Sequence, residues 1–178
     1  TADDPISIKN MEPTVAANLS RNITITNCDL ISPYYSFRIG SESRVGIVEN
    51  IVFTDCFTHA NGTNVGMHSG FALECVDGGT LRNVRISRIR SENARAPVFI
   101  RLGSRNTSPP TPTGPGIIQD VLIEDVSSTV VTSQREFGIE IHGIPTALIT
   151  NVTIRNFTMI PRGGVKFSNL GVTNIADL

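Results

Sequence analysis

A seven-residue pattern occurs five times along the chain, and it restricts the architecture more than any local propensity does. Its copies are Asn22-Ile-Thr-Ile-Thr-Asn27-Cys28, Asn50-Ile-Val-Phe-Thr-Asp55-Cys56, Asn83-Val-Arg-Ile-Ser-Arg88-Ile89, Asp120-Val-Leu-Ile-Glu-Asp125-Val126 and Asn151-Val-Thr-Ile-Arg-Asn156-Phe157. Each runs Asn or Asp, an aliphatic, any residue, an aliphatic or Phe, any residue, a polar residue, then an apolar one. Successive copies start 28, 33, 37 and 31 residues apart. Between them lies a second strand type: Pro5-Ile-Ser-Ile-Lys9, Ser36-Phe-Arg-Ile-Gly40, Asn64-Val-Gly-Met-His68, Phe99-Ile-Arg-Leu-Gly103 and Gly138-Ile-Glu-Ile-His142. A weaker sixth copy is Gly164-Val-Lys-Phe167. Each of these alternates apolar with polar residues, as a strand with one buried face does. One strand of each type per repeat, joined by turns rich in Gly, Pro and Asn, describes a coil that stacks on its neighbours. The expected fold is all-β: a right-handed parallel β-helix of about six coils, a single domain over residues 1–178.

Composition agrees with a folded, turn-rich β-chain. Of 178 residues, 39% are hydrophobic and 17% charged, which excludes disorder as the main state. Fifteen Lys and Arg against sixteen Asp and Glu give a net charge of −1, so nothing points to nucleic acid or an anionic membrane as partner. No apolar stretch approaches the roughly 20 residues that a transmembrane helix needs. The three cysteines are too few for a disulfide framework and match no zinc motif.

Stacking makes columns, because equivalent positions in successive coils lie about 4.8 Å apart. Ile23, Ile51, Val84, Val121 and Val152 form one expected inward column, and Cys28, Cys56, Ile89, Val126 and Phe157 another. The recurring Asn is expected to form a side-chain amide ladder. That pattern also generates Asn-x-Ser/Thr sequons at Asn22, Asn151 and Asn156, which read as by-products; Asn18, Asn61 and Asn106 are better glycan candidates. Cys28 and Cys56 become neighbours, read as stacked buried thiols in preference to a disulfide, whose geometry is awkward between in-register parallel strands. Cys75 has no evident partner. Two interruptions, Arg105 to Pro115 and Ser127 to Glu136, read as loops that rise beside a groove or as plain connectors.

Aligning the second strand type on Ile8, Ile39, Met67, Leu102 and Ile141 lines up its outward positions. One outward column then holds Ser7, Arg38, Gly66, Arg101 and Glu140, and the next Lys9, Gly40, His68, Gly103 and His142. Asp3 and Asp4 precede the first strand at the edge of the same sheet. Acids, bases and cations on one face suit a cleft for a polar polymer, although any strand exterior is polar. Neighbouring carboxylates push their proton affinities apart, leaving one as acid while the other activates water, which glycoside hydrolysis requires. Tyr34 and Tyr35 share a turn facing this sheet, as a sugar-stacking platform or as simple packing. His59 reads as a turn residue. Asp3, Asp4 and Glu140 are too far apart along the stack to cluster around calcium, so no metal or cofactor is expected.

Asp3-Asp-Pro-Ile-Ser-Ile-Lys9 resembles the Asp-Asp-Cys-Ile-Ala-Ile-Lys motif of glycoside hydrolase family 28, the polygalacturonases and rhamnogalacturonan hydrolases. Ser36-Phe-Arg-Ile-Gly-Ser41 resembles the family's Gly-His-Gly-Leu-Ser-Ile-Gly-Ser segment, and Gly46 to Asp55 the strand that follows it. Later stretches, Pro97 to Gly103 and Gly143-Ile-Pro145, resemble coils of pectinase-like β-helix proteins. The resemblance implies an inverting hydrolase of pectin-like polysaccharide, secreted or periplasmic. It implies Asp3 and Asp4 as the paired acids and Lys9 beside the subsite. Arg38, Arg101, His68, His142, Tyr34 and Tyr35 would contact the sugar. The departures are equally specific. Tyr35 stands where the family has His, and Gly66-Met67-His68 where it has Arg-Ile-Lys. The family's third aspartate would lie on a coil before Asp3. These losses favour the alternative, a β-helix that binds polysaccharide without cleaving it. No capping helix precedes Asp3, and an open solenoid end exposes core and strand edges. The chain therefore reads as the C-terminal part of a longer solenoid. Its first coil would be covered by an N-terminal segment of the same protein or by a self-associated partner.

Overall fold

The structure, a computed structural model, describes residues 3–11, 19–60, 66–105, 114–130 and 138–160, and the backbone of Val165–Ser168 and Thr173–Ile175. Every described element is a strand: β1 (Ile6–Ile8), β2 (Leu19–Thr26), β3 (Asp29–Ile31), β4 (Tyr35–Ile39), β5 (Ile47–His59), β6 (Met67–Cys75), β7 (Thr80–Leu102), β8 (Ile117–Val130), β9 (Ile139–His142), β10 (Thr150–Ile160), β11 (Val165–Ser168) and β12 (Thr173–Ile175). All pairings between these strands are parallel. The chain is a parallel β-solenoid, the fold class its repeat implies. Its turns number about four, against the six expected. The terminal strands are short: β1 and β12 have three residues each and β11 four.

The seven-residue repeat explains how the coil closes. In every copy both polar flanks adopt a left-handed backbone: Asn22 and Asn27, Asn50 and Asp55, Asn83 and Arg88, Asp120 and Asp125, and Asn151 and Asn156, all with φ between 47° and 58°. A single left-handed residue turns an extended chain through a corner, and Asn and Asp tolerate that conformation best after Gly. The first face of each coil is thus three short straight segments hinged at two corners. The amide ladder is present along them. The Asn50 amide donates to Asn22 at 3.0 Å and that of Asn83 to Asn50 at 2.6 Å. Asn151 and Asn156 donate to Asp120 and Asp125. Asn22, Asn151 and Asn156 are therefore corner residues; Asn18, Asn61 and Asn106 lie outside the described residues.

The inward columns are registered as the repeat requires. Ile23 pairs with Ile51, Ile51 with Val84, Val84 with Val121 and Val121 with Val152. Cys56 pairs with Ile89, Ile89 with Val126 and Val126 with Phe157. The Cys28 backbone N–H reaches Cys56 Sγ at 3.4 Å, and both cysteines are free thiols, as is Cys75. Phe37 from the second face stacks on Phe53 from the first, ring centroids 4.5 Å apart, and both are wholly buried. Ser127 to Val130, expected as part of an excursion, instead extends β8 along β7 and β10. Residues 131–136 and 106–113, the rest of the two expected loops, lie outside the described residues.

Candidate functional site

The second face stacks β1, β4, β6, the C-terminal part of β7, β9 and β11. Its inward files are Ile6, Phe37, Phe71 and Val98, and Ile8, Ile39, Leu73, Ile100 and Ile141. The register corrects the sequence alignment in two coils. Leu73, not Met67, opposes Ile39, and Ile100, not Leu102, follows Leu73. The outward files change accordingly. Ser7, Arg38, Ala72, Phe99 and Glu140 form one, and Glu74, Arg101 and His142 form the next. Arg101 therefore does not share a file with Arg38, and His68 lies at a strand start, away from the file of His142.

Arg38 is the centre of the face. Its Nε and Nη2 donate to Glu74 Oε1 at 2.8 and 2.7 Å, and its Nη1 to Asp4 Oδ2 at 3.3 Å. Its guanidinium also lies 4.4 Å over the Tyr35 ring. Asp4 is held from the other side by the Tyr35 backbone N–H, 3.2 Å from Oδ1, and only 6% of its side chain is exposed. Asp3 is exposed, and its Oδ1 caps the Asp4 backbone N–H at 2.8 Å. The two leading acids thus differ in setting: Asp4 faces Arg38 and Glu74, whereas Asp3 faces solvent.

Burial raises the Glu74 carboxyl above its ordinary 4.5, against the opposing pull of Arg38 and Arg101. Burial likewise raises the Tyr35 phenol, reinforced by the Glu74 charge. Burial lowers the proton affinity of His68, and the Arg95 charge lowers it further. A buried carboxyl of raised proton affinity, set beside a second acid, is an arrangement general acid–base chemistry uses.

Two hollows meet at Tyr35. One, of about 590 Å³, runs along Arg38, Glu74, Arg101 and His142 to Arg105. The other, of about 280 Å³, is bounded by Tyr35, His68, Arg95, Ala96, Phe99 and Glu140. Aromatic rings line the passage. Tyr34 stacks on His68 at 5.7 Å, the rings nearly parallel, and Tyr35 lies 5.9 Å from the same ring. Phe99 lies 6.5 Å from both Tyr35 and His142. His142 is bonded to Glu140 at 2.9 Å. At the far rim, Arg105 Nε donates to the buried Asp77 at 2.7 Å, and a second contact joins the same pair.

Of the residues expected from sequence, Asp4, Tyr34, Tyr35, Arg38, His68, Arg101 and His142 lie on this face and Asp3 at its edge, with Asp3, Asp4 and Tyr34 bordering neither hollow. Lys9 stands apart, its ammonium bound to Glu42 at 2.8 Å, and it lines neither hollow. His59 ends β5 with its ring on Phe57 and 2.7 Å from Asp29, on the other face, so it is a strand residue and no turn. Glu74, Phe99, Arg95 and Arg105 enter the site without having been expected there. A signal for Glu74 exists: Phe71, Leu73 and Cys75 alternate at period two, which places Ala72 and Glu74 outside. Among the described residues, no three of His, Cys, Asp and Glu converge so as to hold a metal ion. No protein-family model matches the chain, and no curated protein resembles it significantly.

Proposed function

We propose that this chain is a glycoside hydrolase, or part of one, that cleaves a polysaccharide lying across the rungs of the second face. The observation that carries the reading is the Asp4–Arg38–Glu74 cluster, with Asp3 exposed beside it, beside a cleft lined by aromatic rings. Sugar rings stack on aromatic faces, and a polymer running along the solenoid axis meets a new side chain from each coil. Glu74, raised by burial, is the better proton donor to a glycosidic oxygen. Asp3, exposed, is the better base for an attacking water, with Asp4 and Arg38 fixing the frame between them. A polymer substrate of this kind is met outside the cell, in keeping with a secreted or periplasmic protein.

The test is release of reducing ends from a panel of neutral, uronate-bearing and sulfated polysaccharides. Replacement of Glu74 by Gln and of Asp3 by Asn should each lower the rate by roughly 10²-fold or more, the usual contribution of a positioned acid or base. No release from any member by the full-length protein, or unchanged rates in both variants, removes the reading.

One observation favours a second reading, a surface that binds polysaccharide without cleaving it. Both oxygens of Asp4 are engaged within the protein, and Tyr35, not a histidine, stands beside it. Saturable binding to an immobilised polysaccharide with zero turnover selects this alternative.

A further inference from the structure

The inward file behind the second corner holds cysteine in its first two rungs, Cys28 and Cys56, and Ile89, Val126 and Phe157 in the others. The two thiols share one setting. Cys28 Sγ donates to the Thr26 carbonyl at 3.3 Å and Cys56 Sγ to the Thr54 carbonyl at 3.1 Å, and Thr26 and Thr54 are register partners. Equivalent atoms of adjacent rungs lie about 4.8 Å apart. That spacing is too long for a disulfide, whose sulfurs sit about 2.05 Å apart. It is close to twice a metal–thiolate bond of about 2.3 Å, which is the span of a cation held in line between two sulfurs.

A second observation points to a ligand there. The Cys28 backbone N–H donates to Cys56 Sγ at 3.4 Å, beside the left-handed Asp55 corner. Hydrogen bonds of this kind hold and tune metal-ligating atoms. Burial raises the Cys56 thiol, and this N–H pulls it back. Cys56 is buried and Cys28 half-buried, so the pair is approached from Cys28. Among the described residues no three of His, Cys, Asp and Glu gather as zinc would require, whereas two thiolates alone suit a soft ion of low coordination number.

We propose that Cys28 and Cys56 form a two-thiolate site for a soft monovalent cation, copper(I) being the biological member of that class. On binding, each S–H bond breaks, two sulfur–metal bonds form, both protons pass to solvent, and the metal keeps its oxidation state. The ion then staples the first two rungs, stabilising the folded chain by mass action. The site is separate from the second-face cleft and does not depend on the polysaccharide reading.

The experiment titrates the reduced protein, free of oxygen, with copper(I) in competition with a coloured copper(I) chelator, and in parallel with zinc. The expected result is one copper(I) per chain, with two sulfur neighbours and no nitrogen or oxygen by X-ray absorption. Apparent affinity should rise with pH, because protons are released, and the melting temperature should rise with copper(I). Cys28→Ser should weaken binding by more than the roughly 10–100-fold that loss of an outer-shell partner costs, and Cys75→Ser should leave it unchanged. Because Cys28 is half-buried, Cys28→Ser keeps the fold, which circular dichroism checks; Cys56→Ser should repeat its effect. Wild-type affinity in folded Cys28→Ser, equal loss in Cys75→Ser, or no copper(I) retained against the chelator overturns the proposal. Zinc held as tightly as copper(I), or a Cys28–Cys56 disulfide forming in place of the complex, overturns it as well.

Discussion

Asn at a coil corner does two things at once: it accepts a backbone conformation that most residues resist, and its amide bonds the same residue one coil away. Asn83 illustrates the separation, with φ of 54° and an amide 2.6 Å from Asn50. Asn83→Gly should lose only the ladder bond, about 1 kcal/mol. Asn83→Ala loses that bond and adds the left-handed penalty, a further 1–2 kcal/mol or so. Urea denaturation of the pair should therefore rank Gly above Ala, opposite to their order in an ordinary strand. Glu74 gives a second test. Its folded-state proton affinity is raised, so its contribution to stability is full below the unfolded value near 4.5 and is lost as pH rises through the folded value. The wild type should lose stability over that window relative to Glu74→Gln, measured by thermal melts across pH. The two residues also mark what the amino-acid string discloses. Corner Asn or Asp residues recur in all five copies and are visible at once. Glu74 occurs once, and its importance comes from a neighbour 36 positions away, which no local pattern encodes.

Strand register shows where such a string stops being informative. On the first face the columns follow directly from the repeat, because a corner residue at each end of the short segment pins the alignment. On the second face the expected alignment slips, taking Met67 for Leu73 and Leu102 for Ile100, offsets of six and two residues. Both offsets are even, and an even slip leaves every side chain on its original side of the strand. Hydrophobic alternation cannot detect it. The inside residues were therefore legible while the identity of outward neighbours was not, which is why Arg101 appeared to follow Arg38. In this register the backbone at Gly40 approaches Glu74 closely. The Gly40 φ is +97°, and a Cβ there would lie 2.0 Å from the Glu74 carbonyl oxygen. Gly40→Ala should destabilise the chain by about 2–4 kcal/mol, combining backbone strain with overpacking. It should also shift Glu74, lowering any hydrolytic rate or sugar affinity beyond what the stability loss explains. Wild-type rate and affinity at temperatures where the variant is fully folded would argue against this coupling.

A solenoid has no long-range closure, so each coil is held by its neighbours and by the two faces pressing on a common interior. Phe37 and Phe53 join those faces in mid-stack. Phe53→Ala should destabilise by about 3–5 kcal/mol, followed by calorimetry. Cooperative unfolding of all coils together would show that the loss spreads beyond one rung. The same stacking gathers residues from coil after coil into one groove, and the functional reading depends on that gathering. The most direct test is a crystal structure of the Glu74→Gln protein soaked with an oligosaccharide that it binds. The sugar should lie across the rungs between Tyr35 and His142, with a glycosidic oxygen facing residue 74. A sugar seated on the corner-ladder face, or a cleft empty at saturating ligand, would contradict the placement of function on this side of the coil.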